Sequence, residues 1–294
     1  MQKPEGHEAK YVYCIVSGDE RKVFGREGIG GQGDQAYTIP YQDISAVVSD
    51  TSLEVPEPTI EHVLAHEGVI EEAMAGHTVL PLRFGVVFAS EARVQEMLAE
   101  NCQRYKEHLA RLHGKVELGL KVLWVEENIR QEVERASERV ARFREEVAGR
   151  AQELKRIRER PEMRGKGYYL QMKLEKDTAQ LEQLVREEME MAREREALHI
   201  FQDLRGRAVD ACLTHLLDPS MILNAAFLVS RGEIEDFNQR VMELMRANVE
   251  KGLELALSGP WPPYNFVHLE DESKGKASLL NPILTPIKPL SQLM

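Results

Sequence analysis

The chain has 294 residues, 43% of them hydrophobic, which is enough for two compact modules and excludes general disorder. Its 38 basic and 49 acidic residues leave a net charge of −11, an argument against a nucleic-acid backbone as principal partner, because phosphate neutralisation needs a basic surface. The N-terminal MQKPEGHEAK has no apolar signal core, and no run reaches the ~18 apolar residues of a membrane span. Cys14, Cys102 and Cys212 lie far apart on apolar faces, with neither a metal spacing nor a disulfide framework, so a soluble protein of a reducing cytoplasm is expected.

Residues 11–16, YVYCIV, are rich in aromatic and β-branched side chains and predict the first strand. In GREGIGGQG the glycines Gly28, Gly30 and Gly33 match the spacing of a dinucleotide fingerprint. The fingerprint works only where the glycines open a helix, and the extended DQAYTIPYQD, with Pro40 in it, follows instead, so the stretch reads as a hairpin loop. Ile44, Ala46 and Val48 alternate in a second strand, and EVPEP turns the chain. Thr59 then caps a helix to about residue 74, with Ile60, Val63, Leu64, Ile70 and Met74 near one face. That helix also carries His62, His66 and Glu67. Two histidines make an incomplete metal site and HVLAHE is not the zincin arrangement, so a polar face without metal is expected.

Residues 79–88, VLPLRFGVVF, form a continuous apolar run and predict a central strand buried on both faces. Arg83 within it needs a carboxylate partner or a route to water. Ser90 and Glu91 open an amphipathic helix whose Val94, Met97, Leu98, Cys102, Tyr105, Leu109 and Leu112 recur at spacings of three and four. Gly114 ends it, and Val116, Leu118, Leu120, Val122 and Trp124 alternate in the strand that completes a β-α-β unit. The order β-β-α-β-α-β predicts, for residues 1–125, an antiparallel sheet with helices on one face, close to a ferredoxin-like arrangement.

From residue 126 the composition becomes highly charged outside one stripe: Ile129, Val133, Ala136, Val140, Phe143, Val147, Ala151, Leu154 and Ile157, a coiled-coil seam. PEMRGKG breaks it, and a second charged helix runs from about 168 to 205. Residues 126–206 therefore predict an antiparallel helical hairpin projecting up to ~50 Å at 1.5 Å per residue. A second, smaller α+β module is expected over 207–269: two strand-like runs at 209–217 and 221–229, an amphipathic helix through Ile234, Phe237, Val241, Leu244, Met245 and Val249, Gly252, and a last strand with Leu253, Leu255 and Leu257. In SGPWPPYNFV the prolines predict a rigid non-sheet segment that buries Trp261 against the C-terminal module. Residues 270–294 form an apolar, proline-broken tail that either docks on the body or awaits a partner.

Four stretches together, YVYCIV, VLPLRFGVVF, GYYLQMKLE at 167–175 and GPWPPYNFV, make the chain resemble the gas vesicle GvpF/GvpL family. The resemblance implies a two-module α+β protein with a ferredoxin-like N-terminal part. It implies a minor vesicle component or assembly factor that contacts the small hydrophobic shell protein GvpA and other accessory Gvp proteins, in the cytoplasm and at the vesicle. It carries over no catalytic, cofactor or metal residues. The rival reading from the residues is a ligand-binding or enzymatic α+β protein using Arg83, His62 and His66.

Overall fold

The computed structural model describes residues 9–29, 35–52 and 54–267, so Gly30, Gly33 and the tail at 270–294 lie outside the described residues. The fold is α+β, with two antiparallel sheets and a long helical arm. The first sheet contains β1 (Ala9–Ser17), β2 (Val23–Glu27), β3 (Gln35–Tyr41), β4 (Ile44–Thr51), β5 (Val79–Pro81) and β6 (Val87–Phe88), in the order β2-β3-β4-β1-β5, with β6 also paired to β1. The first three residues of GREGIGGQG, 25–27, belong to β2, a strand absent from the expected element order, and β2 pairs antiparallel with β3.

The central strand is β1 and not the 79–88 run. A bulge between Val12 and Cys14 lets Tyr11, Tyr13, Cys14 and Val16 face one side and Val12 and Ile15 the other, and all are buried. The VLPLRFGVVF run lies at the sheet edge and is broken in the middle. Gly85 takes φ +87° and residues 83–85 bulge out, while hydrogen bonds from Leu82 N–H to Tyr13 and from Val12 N–H to Val86 hold both ends against β1. Arg83 sits half-buried in that bulge, which gives it its route to water.

Helices cover both faces of this sheet rather than one. Helix α1 (Ile60–Gly76) packs Val69, Ile70 and Ala73 against Tyr11, Tyr13 and Phe24, and α2 (Glu91–Leu112) packs Val94, Leu98, Tyr105 and Leu109 on the Val12 face. Thr59 and Ser90 cap the two helices as expected, accepting hydrogen bonds from the backbone of His62 and Arg93. The apolar face of α1 is different from the expected one: Ile60, Val63 and Leu64 are exposed, and the buried face is set by the C-terminal half.

The ferredoxin-like arrangement is not confirmed. Strand β7 (Lys115–Trp124), read as completing the first module, turns at Gly114 (φ +70°) into a second sheet with β8 (Asp210–Leu213), β9 (Met221–Ser230) and β10 (Leu253–Trp261), in the order β10-β7-β9-β8. Its alternating face, Leu118, Leu120, Val122 and Trp124, packs under the helical arm and α6 (Ile234–Asn248). Ala226 and Leu228, on the other face of β9, join the core around α2, so the two sheets share one apolar contact region.

The arm has three helices, because the expected first helix breaks at Ser137. Ser137 ends α3 (Glu126–Ala136) and caps α4 (Glu138–Arg158), accepting from Val140 N–H. Glu134 and Arg144 pair at 3.0 Å. Ten residues of straight helix would place them ~15 Å apart, so α3 folds back beside α4. After a short turn at Pro161–Met163, α5 (Arg164–Arg205) returns antiparallel to α4, with Arg139–Glu188 and Arg150–Asp177 pairs at 2.8 and 2.6 Å.

Candidate functional site

Pro260 does not end the last strand. β10 is an edge strand, where a missing N–H costs no ladder bond, and after a bulge at Ser258 it still pairs Trp261 with Glu117. The following residues, 262–267, form a strap across the junction of the two sheets. Trp261 is 41% exposed, contrary to its expected burial, and its indole N–H reaches no further than Ser258 Oγ at 3.1 Å. The anchor is Phe266 instead, 2% exposed, seated with Val267 in the core around α2.

Polar contacts fasten the strap at three places. Tyr264 donates its hydroxyl to Glu67 of α1 at 2.9 Å, and an Arg111 guanidinium N–H of α2 bonds the Phe266 carbonyl. Asn265 donates its backbone N–H to Glu117 Oε2 at 2.8 Å and its side-chain amide to Oε1 at 2.6 Å. Glu117 is 5% exposed, and burial pushes its carboxyl up to about 7 despite the opposing pull of the Asn265 donors. Burial also raises the Glu67 carboxyl, and pushes the neighbouring Cys212 thiol up to about 12. In KVELGLKVLW the residues alternating with the apolar face read as solvent-facing, so nothing local in the sequence marks Glu117 as buried. Its cover comes from a segment 148 residues away.

Of the histidine candidates, His66 lies against the segment that carries Arg83, and His62 bonds the chain before its own helix. His66 is a core residue at 2% exposure, not part of a polar face, and sits among the rings of Tyr11, Tyr13 and Phe84. Its Nε2 faces the Leu82 carbonyl at 3.1 Å and must carry the proton there. Nδ1 therefore accepts from the Tyr11 hydroxyl at 2.9 Å, which in turn accepts from Gly85 N–H at 2.9 Å. Burial lowers the imidazole to about 4, so the ring is neutral with both nitrogens engaged. The chain of bonds fixes the bulge that carries Arg83. His62, one turn earlier, ties the start of its helix to the preceding segment, its Nδ1 donating to the Glu57 carbonyl oxygen at 2.7 Å. Among the described residues, no group of three or more His, Cys, Asp or Glu side chains is placed to hold a metal ion.

The far end of the arm presents a different surface. Leu170 packs with Leu154 and Ile157 in a small cluster that closes α4 on α5. Beside it Tyr168, Tyr169 and Met172 stand in water, Tyr168 at 71% exposure. Large apolar side chains with no packing task, grouped at the tip of a charged arm, are the feature expected of a partner contact.

A family model described as gas vesicle synthesis protein GvpL/GvpF matches residues 9–268, a span that includes every described residue. The chain belongs to the GvpL/GvpF family. It is 30% identical over 260 residues to gas vesicle protein F of a Streptomyces species, covering 87% of this chain and 98% of that one. It is 26% identical over 265 residues to gas vesicle protein F1 of Halobacterium salinarum, covering 89% and 94%. The crystal structure of GvpF from Anabaena shares the fold, with a TM-score of 0.68 at 23% identity over 90% of this chain and 99% of that one. Membership of GvpL/GvpF places the chain in gas vesicle formation. Among the described residues no helix is long and apolar enough to cross a membrane. The stretches that carry the GvpF/GvpL resemblance have separate structural roles: YVYCIV is the central strand, VLPLRFGVVF the bulged edge, GPWPPYNFV the strap, and GYYLQMKLE the arm's tip.

Proposed function

We propose that the chain is a non-enzymatic accessory protein of gas vesicle formation that binds the small hydrophobic shell protein GvpA and other accessory Gvp proteins, acting in the cytoplasm and at the vesicle. The observation that supports this best is the exposed Tyr168, Tyr169 and Met172 at the tip of the α4–α5 arm, within a stretch that carries the family likeness. A hydrophobic partner offers these side chains the burial that their own fold does not. The non-enzymatic reading is supported by the use two buried, strongly perturbed groups make of their bonds: His66 and Glu117 hold segments of the fold together. The test is capture of tagged GvpA by the full chain and by a variant carrying Tyr168→Ser, Tyr169→Ser and Met172→Ser. Aromatic anchors contribute about 2 kcal/mol or more each, so affinity falls at least ~30-fold. The melting temperature stays unchanged, because these side chains are exposed. Undiminished capture by the folded variant refutes the tip as the contact, and no capture by either protein refutes the partner.

A further inference from the structure

An open sheet edge carries unpaired N–H and C=O groups that another strand can take up, and among the described residues β10 offers the longest regular one. The other edges are blunted. β2 pairs irregularly and carries Arg26 and Glu27, β8 is four residues long and starts at Asp210, and the bulge at 83–85 separates β5 from β6. β10 instead follows β7 in unbroken register from Leu253 to Ser258, with no Lys, Arg or Pro in that stretch.

The ladder fixes which of its groups face outwards. Asn224 and Leu228 of β9 give their carbonyls to Thr214 N–H and Val209 N–H on the β8 side. Alternation then joins Leu223, Ala225 and Phe227 to Val122, Leu120 and Leu118 of β7, and leaves Lys121 and Gly119 to bond Ala256 and Ser258 of β10. Leu253, Leu255 and Leu257 therefore point their backbone polar groups at the open edge. Their side chains turn under α6, where helix and strand enclose a groove of about 510 Å³ lined in its depth by Leu118, Val241 and Leu255. Met242 and Met245 stand on its rim at 47% and 39% exposure.

We propose that two copies of the chain pair antiparallel through β10, about a twofold axis at Leu255, and so join their second sheets into one. Leu255 exchanges a pair of hydrogen bonds with its mate, and Leu253 exchanges a pair with Leu257 on either side of the axis. On the face away from α6, Glu254 comes opposite Ala256 of the second copy, and beyond that small side chain lies Lys121, the β7 partner of Ala256. Two strand spacings are about 10 Å, within the combined reach of a glutamate and a lysine. Glu254 and Lys121 are both exposed, and among the described residues neither has an ion-pair partner in its own chain. The axis thus creates two Glu254–Lys121 pairs on a chain whose net charge of −11 opposes self-association. On the α6 face the methionine rims of the two grooves meet, their unbranched side chains adapting to one another. Past the bulge, Trp261, 41% exposed, is carried towards the turn at 249–252 of the second copy, where Val249 is 67% exposed. An unrelated extended segment satisfies the ladder bonds alone, whereas a copy of this chain also supplies the carboxylate, the methionines and the valine in the same register.

The test is the mass of the full chain by sedimentation over a range of concentrations, with Ala256→Glu as the deciding variant. Within one chain the new carboxylate stands opposite Lys121, a favourable cross-strand pair that leaves the fold at least as stable. Across the axis it stands opposite Glu254 of the second copy. The wild type passes from 33.5 kDa at nanomolar concentration to twice that mass in the micromolar range. Ala256→Glu raises the dissociation constant at least ~10-fold, with no loss of melting temperature where both proteins are single chains. Glu254→Lys and Lys121→Glu each weaken the pairing by a similar factor, and together they restore it. A chain that keeps the 33.5 kDa mass up to ~100 µM overturns the proposal. So does a dimer that Ala256→Glu and both charge reversals leave untouched, because it forms through another surface.

Discussion

Glu117 makes stability fall as pH rises from about 5 to 7, a sign opposite to that of an ordinary paired carboxylate. Its carboxyl titrates at about 7 when folded, against a reference of 4.5, because burial between β7 and the strap penalises the charge more than two Asn265 donors reward it. The folded state therefore holds the proton more tightly than the unfolded state. Below pH 4.5 both states are protonated and nothing is lost. Between 4.5 and 7 the unfolded chain ionises first, and stability declines by about 3 kcal/mol, 2.5 pH units at 1.36 kcal/mol each. Glu117→Gln removes the titration. One amide oxygen keeps an Asn265 bond, while the amide NH2 faces the other donor, a fixed cost of about 1–3 kcal/mol at every pH. Denaturant unfolding of both proteins from pH 5 to 8 is the assay. The wild type is the more stable near pH 5, and its advantage shrinks or reverses by pH 8. Taking the difference between the two removes His66, whose depressed folded pKa works the other way, adding stability above 6.5 that is lost as pH falls towards 4. Parallel curves for wild type and Glu117→Gln across the whole range refute the reasoning.

Phe266→Ala removes a large ring from the shared core and costs about 3–5 kcal/mol in equilibrium unfolding, whereas Trp261→Ala costs about 1 kcal/mol or less despite the larger side chain. A greater loss for Trp261→Ala shows the strap to be anchored at the wrong residue. Gly252→Ala strains a turn at φ +72° and also drives a methyl into the Asn128 side chain, while Gly114→Ala strains φ +70° with open space around it. The Gly114 change costs ~1–2 kcal/mol and the Gly252 change measurably more, and equal losses of melting temperature show that the Asn128 contact yields freely.

Local signals were legible where one residue type decides the outcome. Thr59 and Ser90 begin helices because their hydroxyls satisfy an N–H that nothing else reaches, and Gly114 and Gly252 end elements because the chain there needs positive φ. The alternation in KVELGLKVLW located a strand and its apolar face, but alternation does not say which sheet a strand joins, so β7 was assigned to the wrong one. The nine-position seam predicted a straight helix, and Ser137 broke it. A serine one residue after Ala136 is an N-cap signal inside an otherwise continuous pattern, and the return of α3 against α4 follows from it. Burial of His66 was illegible for a different reason. A histidine is polar by composition, and only the Tyr11 hydroxyl and the Leu82 carbonyl, brought from elsewhere in the chain, make an apolar position acceptable to it.

Trp261 and Phe266 show how this affects the reading of function. Size alone favours burial of the tryptophan, yet burial depends on where the backbone points, and β10 carries Trp261 out at the sheet edge before Pro262 and Pro263 turn the chain inwards. The strap then gathers bonds from Glu67 on α1, Arg111 on α2 and Glu117 on β7, so it couples elements from both sheets at once. Breaking any one of these bonds leaves the others and the Phe266 anchor in place, and relative movement of the two sheets requires all of them to yield. The strap therefore ties the two sheets of the body together. The arm joins the body through α3 and the end of α5, and among the described residues its tip is held by apolar contacts between α4, the turn at Met163 and α5. Tyr168 and Tyr169 are thus exposed at the end of the arm remote from the strap, where α4 turns into α5.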